Sequence, residues 1–270
     1  MISVASKSFT DFIILKGDNM VIRLGKSNEK DELKYLWQEV FDEDDFYLEY
    51  KFDKSFSANQ SIVVVDKKII GAAHYDILFI DNKKVAYING VSIKKEHRGK
   101  NLSVRMLDYL HKHLLNEGFA YCFLKPAISN YYEKFGYKTV INAQKADLTY
   151  KEVSPYSVTN YGYIEIFETM CKKHSIFLPR SEKRFEKIIR LYTNYDGGII
   201  CFEREKELLG YALYAKENEK IVIEESVFLN DNGFDIMGNY FGNASVNELA
   251  VMIKDLNEQF IYTDAFIKVV

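Results

Sequence analysis

Residues 91–103, Val-Ser-Ile-Lys-Lys-Glu-His-Arg-Gly-Lys-Asn-Leu-Ser, place an apolar strand, a basic turn containing glycine and the opening of an amphipathic helix in immediate succession. The first amides of a helix have no intrahelical partner, and the helix dipole favours negative charge there. Arg98 and Lys100 add cationic side chains, and Gly99 lets a ligand come close to the backbone. This chemistry suits a phosphate or pyrophosphate. The turn matches neither GxxxxGK[ST] nor GxGxxG, so it is not a P-loop or a dinucleotide fingerprint. Taken alone, a solvated strand-to-helix turn is the commoner outcome of such a segment.

The flanking elements change that weighting. Leu102, Met106, Leu110 and Leu114 form a helical stripe over residues 102–115, ended by Gly118. Residues 121–124 read as a short strand. Pro126 and Ser129-Asn130 then open a short helix carrying Tyr-Tyr-Glu-Lys-Phe-Gly-Tyr at 131–137. This order resembles the GNAT acyltransferase superfamily. Glu96-His-Arg-Gly-Lys-Asn101 stands for its pyrophosphate motif, and Tyr132-Glu-Lys-Phe-Gly-Tyr137 for its later signature. The resemblance covers about residues 20–150. Glu96 and Asn101 depart from the pattern, where Gln or Arg and a second small residue are usual; Asn tolerates left-handed backbone.

The resemblance implies an α/β (α+β) fold, a mixed and mostly antiparallel twisted sheet flanked by helices. It also implies acetyl-CoA as co-substrate, transfer of the acetyl group to a primary amine, and no metal. Arg98, Gly99, Lys100, Asn101, Leu102 and Ser103 would hold the pyrophosphate. Val91 and Ile93 would bind the pantetheine arm, with a strand amide near Val91 for the developing oxyanion. Tyr132 would protonate the leaving thiolate, with Tyr131 its nearest rival. An alkyl amine has a pKa near ~10.4 and must lose a proton before it attacks. The strand at 86–90 offers Tyr87 and Asn89 but no glutamate base. His74 is one candidate base, a core or surface histidine the plainer reading. Asp45, the last residue of the acidic run at 42–45, and Glu49 would attract a cationic acceptor, a solvated acidic loop being the plainer reading, and His74 and Asn89 would border the same site. Tyr47 and Tyr50 would line the site or simply pack, and His111 and His113 read as surface residues.

At 270 residues the chain can hold two modest domains. Its net charge of −3 gives no reason to expect nucleic acid or an anionic membrane as partner. Cys122, Cys171 and Cys201 lack CxxC spacing and read as buried thiols in a reducing compartment. No apolar run suits a signal peptide or membrane span, so a cytoplasmic protein is expected. Homo-oligomerisation is left open.

A helix starting at Ser27-Asn28 is expected to bury Leu33, Leu36 and Trp37. Strands follow at 61–65, 69–80 and 84–93, with a bulge at Asn89-Gly90. Residues 140–151 are expected to close the first domain. The second half echoes the first: residues 61–75 resemble 198–214, with Gly71 and Gly210 in the same place and a helix before each copy. No Arg-Gly-x-Gly turn follows the second copy, where Asp231-Asn-Gly233 stands. The expected boundaries are an extension at 1–19, with the start left open between Met1 and Met20, a catalytic domain at 20–152 and a degenerate GNAT-like domain at 153–270.

An intact GNAT domain followed by an inactive copy resembles the front part of the enhanced-intracellular-survival (Eis-like) acetyltransferases, whose third, sterol-carrier-like domain does not fit in this length. In those enzymes the C-terminal carboxylate enters the active site, a role that would fall here to Val270. The alternative is a non-catalytic acyl-CoA-binding sensor or partner subunit of the same fold.

Overall fold

The computed structural model describes residues 12–15, 20–53, 56–80, 82–126, 128–174, 176–230, 232–248, 251–257 and 265–266. The chain divides into two compact units, Met1–Leu124 with Lys254–Phe260, and Lys125–Ile253 with Ile261–Val270.

The first unit contains β1 (Phe12–Leu15), β2 (Met20–Leu24), α1 (Lys30–Phe41), α2 (Asp45–Lys51), β3 (Ser61–Asp66), β4 (Lys68–Ile80), β5 (Lys83–Ile93), α3 (Leu102–Asn116) and β6 (Tyr121–Leu124). The strands lie side by side in chain order. All pairings are antiparallel except the last, β5 with β6, which is parallel. β1 lies within the stretch expected to be an extension, yet it pairs with β2 from Phe12↔Arg23 to Leu15↔Met20.

Leu33, Leu36 and Trp37 recur at helical spacing and bury one face of α1, as expected. They pack with Leu48 and Phe52 onto Val63, Ile69 and Ala72 of the sheet. The start of α1 differs from expectation. A 3-10 turn, Ser27–Glu29, precedes the helix, and neither Ser27 nor Asn28 caps it. The Glu29 carboxylate instead accepts from the Lys26 amide at 2.7 Å and from both guanidinium ends of Arg23 at 2.6 and 2.9 Å. The Arg23 hydrogen bonds hold the Glu29 carboxyl below its usual range. On β4, Tyr75 alternates with His74 and so faces the other side of the sheet. There its hydroxyl meets Nε2 of His113 on α3 at 3.0 Å. His113 is thus a core residue, contrary to expectation.

The second unit contains α4 (Ser129–Glu133), β7 (Lys138–Ile141), β8 (Gln144–Asp147), β9 (Ser157–Thr159), α5 (Tyr163–Cys171), β10 (Ile176–Phe177), α6 (Glu182–Thr193), β11 (Gly198–Arg204), β12 (Glu207–Glu217), β13 (Lys220–Phe228), α7 (Gly233–Phe241), β14 (Ser245–Glu248), the first three residues of β15 (Val251–Asp255) and β16 (Ala265–Phe266). Its main sheet runs β8-β14-β13-β12-β11-β9. β7 pairs with β15, and β10 with β16. Ser181 caps α6 by accepting from the Arg184 amide.

Under the α5 and α6 side of this sheet lies a buried polar group. Arg180 donates two hydrogen bonds to Glu225, at 2.7 and 2.9 Å, and the Tyr211 hydroxyl donates a third at 2.7 Å. The guanidinium also lies 4.7 Å from the Phe185 ring centre and 5.0 Å from that of Phe167. The three cysteines are reduced and buried, and burial pushes the Cys171 thiol up to about 11 and that of Cys201 to about 12.

Candidate active site

The site in the first unit begins with one extra residue in β5. Ala72 pairs with Ser92 and His74 with Asn89, so Gly90 and Val91 together stand opposite Ala73. This is the bulge expected at Asn89-Gly90. Gly90 has φ +59°, and a Cβ there would lie 2.0 Å from Cζ3 of Trp37 and 2.8 Å from Cδ2 of His74. Only glycine combines that backbone with that contact.

The bulge changes what β5 does on its other edge. Parallel pairing with β6 covers only Val85, Ala86 and Tyr87. From Ile88 to Ile93, β5 has no partner strand on that side among the described residues. Such an edge offers alternating N–H and C=O groups to an extended ligand, as a neighbouring strand would use them. Val91 and Ile93 lie on this segment.

The basic turn follows at once. Lys95–His97 forms a 3-10 turn, and Nε of Arg98 reaches back to donate to the Ile93 carbonyl at 3.0 Å. Gly99 has φ +81°, and a Cβ there would meet nothing within 4 Å. Asn101 takes left-handed geometry, φ +57°, and its exposed side chain caps nothing. The first amide to close an intrahelical bond is that of Arg105, onto the Asn101 carbonyl at 3.1 Å. The turn that leads into α3 therefore has open space at Gly99, between the cationic residues Arg98 and Lys100. This fits a pyrophosphate, and the unpaired edge of β5 fits the arm that would extend from it.

On the α1–α2 face beside the bulge, His74 lies under the rings of Trp37, Phe56 and Phe52, with centroids at 5.2, 5.3 and 6.1 Å. Its Nδ1 is 2.7 Å from the Ser61 hydroxyl. Burial, reinforced by the Lys51 charge, pushes the imidazolium down to about 3. His74 is therefore neutral at pH 7 and too weak a base to deprotonate an alkylammonium, whose ordinary pKa is near ~10.4. Asn89, its cross-strand partner, donates through Nδ2 to Asp76 Oδ2 at 3.2 Å and to the Tyr87 carbonyl at 3.3 Å. Asp76 in turn lies 3.7 Å from the Lys51 ammonium, which sits 5.4 Å from the Trp37 ring centre.

Asp45 and Glu49 stand exposed on α2, which buries Leu48 instead. Neither is bonded to His74 or Asn89 among the described residues. Asp44 caps α2 through the Tyr47 amide at 2.9 Å, so part of the acidic run has a structural task. Val270 lies outside the described residues. Sequence reasoning missed Trp37 as a site wall, together with Lys51 and Asp76. The polar Asp76 on an otherwise apolar β4, two residues past His74, was the available signal.

Tyr132 belongs to the second unit. It sits on α4 with its ring against those of Tyr131 and Tyr137, at centroid distances of 5.1 and 5.7 Å. The Phe135 and Tyr137 amides both return to the Tyr132 carbonyl. Burial, with Tyr131 adding, pushes the phenol up to about 12, so it keeps its proton across the neutral range.

The second unit repeats the bulge and then closes it. Leu213 pairs with Glu225 and Tyr214 with Ile223, which leaves Glu224 extra on β13. β13 pairs in parallel with β14 only at Val222 and Ile223. Here, however, Oε1 of Glu248 accepts from the Ser226 amide at 2.6 Å and from its hydroxyl at 2.8 Å. A Cβ on Gly233, at the start of α7, would lie 2.5 Å from the Phe228 ring. The strand edge that lacks a partner strand in the first unit, and the open space at its Gly99, thus correspond in the second to places filled by side chains.

The profile of the acetyltransferase (GNAT) domain matches residues 21–140. No curated protein sequence matches the chain significantly. Solved structures do. A conserved protein of Enterococcus faecalis V583, described as a "probable N-acyltransferase", is 14% identical over 89% of this chain and 73% of its own, with a TM-score of 0.67. A GCN5-related N-acetyltransferase from Anabaena variabilis is 13% identical over 88% and 73%, with a TM-score of 0.65. Eis1 from Mycobacterium abscessus is 12% identical over 87% and 72%, with a TM-score of 0.57. Among the described residues no group of side chains could hold a metal, and no helix is long and apolar enough to cross a membrane. Residues 21–140 carry an acetyltransferase (GNAT) domain, and the chain has the fold of the GNAT N-acyltransferases, resembling the Eis proteins.

Proposed function

We propose that the chain is an acetyl-CoA-dependent N-acetyltransferase that acylates a primary amine by direct attack, with residues 20–152 as the catalytic domain and residues 153–270 as a non-catalytic GNAT-like copy. The observation that carries this reading is the continuity of the β5 edge, which lacks a partner strand beyond Tyr87 among the described residues, with the basic turn whose Gly99 faces open space. Acetyl-CoA supplies an activated acyl group when bound. The first-turn amides of α3, with Arg98 and Lys100, would hold its pyrophosphate, and the β5 edge at Val91 and Ile93 would align its arm. In the transfer the amine nitrogen forms a bond to the acyl carbon and the carbon–sulfur bond breaks. One proton leaves the nitrogen for solvent, and the sulfur receives one from Tyr132, whose raised pKa keeps that proton available.

A thermal-shift titration with acetyl-CoA, against ATP as control, tests the cofactor site. At ~100 times the dissociation constant, a ligand specific to the folded state stabilises it by roughly 2.7 kcal/mol. Thiol release on adding primary amines then tests transfer. A shift without thiol release from any amine would leave a CoA-binding module, and no shift would sink the assignment.

A further inference from the structure

The Asn89 side chain has an unusual hydrogen-bond balance. Nδ2 has two acceptors, Asp76 Oδ2 and the Tyr87 carbonyl, which fixes the way the amide faces. Oδ1 is buried and has no donor among the described residues. A buried carbonyl left unsatisfied is costly, so one beside the strand bulge calls for a partner. Asn89 is the last residue before Gly90, and its cross-strand neighbour His74 is neutral and walled by Trp37, Phe52 and Phe56. A group that would complete Asn89 must therefore bring an N–H or O–H donor on a body compatible with aromatic walls.

The charges around Asn89 say which form of donor fits. Asp76 is the carboxylate bonded to it, and Lys51 of α2 stands 3.7 Å from that carboxylate. The pair is close to neutral overall. A lone carboxylate would favour the ammonium form of an amine, which has no lone pair for attack, whereas a neutral amide oxygen beside a compensated carboxylate does not. We infer that Asn89 Oδ1 receives an N–H of the acceptor amine in its neutral form, that Asp76 is the positioning residue that fixes the Asn89 amide for this, and that Lys51 offsets the Asp76 charge so that uncharged amines on apolar or aromatic bodies are preferred to polycations. This deepens the acetyltransfer reading and rests on it.

The test is steady-state thiol release by the full chain with acetyl-CoA and two probes, 2-phenylethylamine and spermidine. Wild type should use 2-phenylethylamine with the higher kcat/KM. Asn89→Ala should raise the KM for that amine about tenfold, the scale of one lost hydrogen bond to a buried group, while the KM for acetyl-CoA and the acetyl-CoA thermal shift stay as in wild type. Asp76→Leu should act in the same direction, because the Asn89 amide is then held only by the Tyr87 carbonyl. Asp76→Asn still offers an oxygen to Asn89 Nδ2 and should restore the amine KM. The Asp76 pair keeps the test decisive if Asn89→Ala does not fold. An active wild type whose folded Asn89→Ala or Asp76→Leu variant keeps its amine KM would overturn the Asn89 inference alone. A preference for spermidine would overturn the proposed acceptor class. A wild type that shifts with acetyl-CoA but acetylates neither probe overturns the inference alone; the transfer reading falls only if no primary amine releases thiol.

Discussion

Gly71 and Gly210 meet the same surroundings. A Cβ on Gly71 would lie 2.3 Å from Cδ1 of Ile93 and 2.9 Å from the Ser92 carbonyl oxygen. On Gly210 it would lie 2.4 Å from Cδ1 of Phe228 and 2.5 Å from the Val227 carbonyl oxygen. Gly71 pairs with Ile93 and Gly210 with Phe228, so each glycine lets its partner strand's last side chain fold over the hairpin. The echo between residues 61–75 and 198–214 is therefore an echo of packing, not of strand–turn–strand spelling alone.

Gly90→Ala should be among the costliest single changes in the first unit. The new methyl group would occupy the space of the Trp37 ring edge on a backbone that disfavours side chains. A loss of about 3 kcal/mol is expected, read as a lower urea midpoint at an unchanged slope. A loss below 1 kcal/mol would mean that β5 lacks this bulge.

Tyr132→Phe should lower kcat by roughly two to four orders of magnitude, the range of a lost general acid. The acetyl-CoA thermal shift should not change. Unchanged turnover would remove Tyr132 from the proton route.

Arg98→Ala should weaken acetyl-CoA binding about tenfold, and wild-type affinity should fall with added salt more steeply than that of the variant. Gly99→Ala meets no atom and should cost only ~1 kcal/mol or so of stability through its left-handed backbone. Calorimetry on both variants separates charge from turn geometry. Equal affinity of Arg98→Ala and wild type would move the pyrophosphate elsewhere.

Stability should fall in acid because of His74. Its folded pKa, about 3, is below the ordinary ~6.5 of an unfolded histidine. Between these values the unfolded chain binds the extra proton, so the stabilisation is whole above pH ~6.5 and drains away as pH falls towards 3. The slope from this one group is at most about 1.4 kcal/mol per pH unit. His111, pushed down to about 4 mainly by burial, acts in the same sense. Urea midpoints at pH 7 and 5 should differ less for His74→Gln than for wild type; identical pH slopes would show that His74 already titrates normally.

Much of what the sequence offered as candidate site residues was legible because it is local in sequence. Asn89-Gly90 announces a bulge, Arg98-Gly99-Lys100 a turn, and Phe135-Gly-Tyr137 a return to Tyr132. Residues joined only by strand register were not legible. Asp76 meets Asn89 because β4 and β5 lose one residue of register between them, and Lys51 reaches Asp76 from a helix 25 positions earlier in the chain. Residues 140–151 read locally as plain strands, yet β7 takes β15 as its partner and β8 takes β14, roughly a hundred positions on. His113 was legible in principle. It lies three residues after Leu110 and seven after Met106, on the buried stripe of α3, but a histidine does not advertise burial.

Glu248 gives the second unit a different relation to its surroundings. An open strand edge must wait for a diffusing molecule to satisfy it, and how often it is satisfied depends on how much of that molecule is present. The Ser226 amide has its acceptor tethered to the same polypeptide, at 2.6 Å. A gap closed in this way has no dissociation constant, ignores metabolite supply and is renewed each time the chain folds.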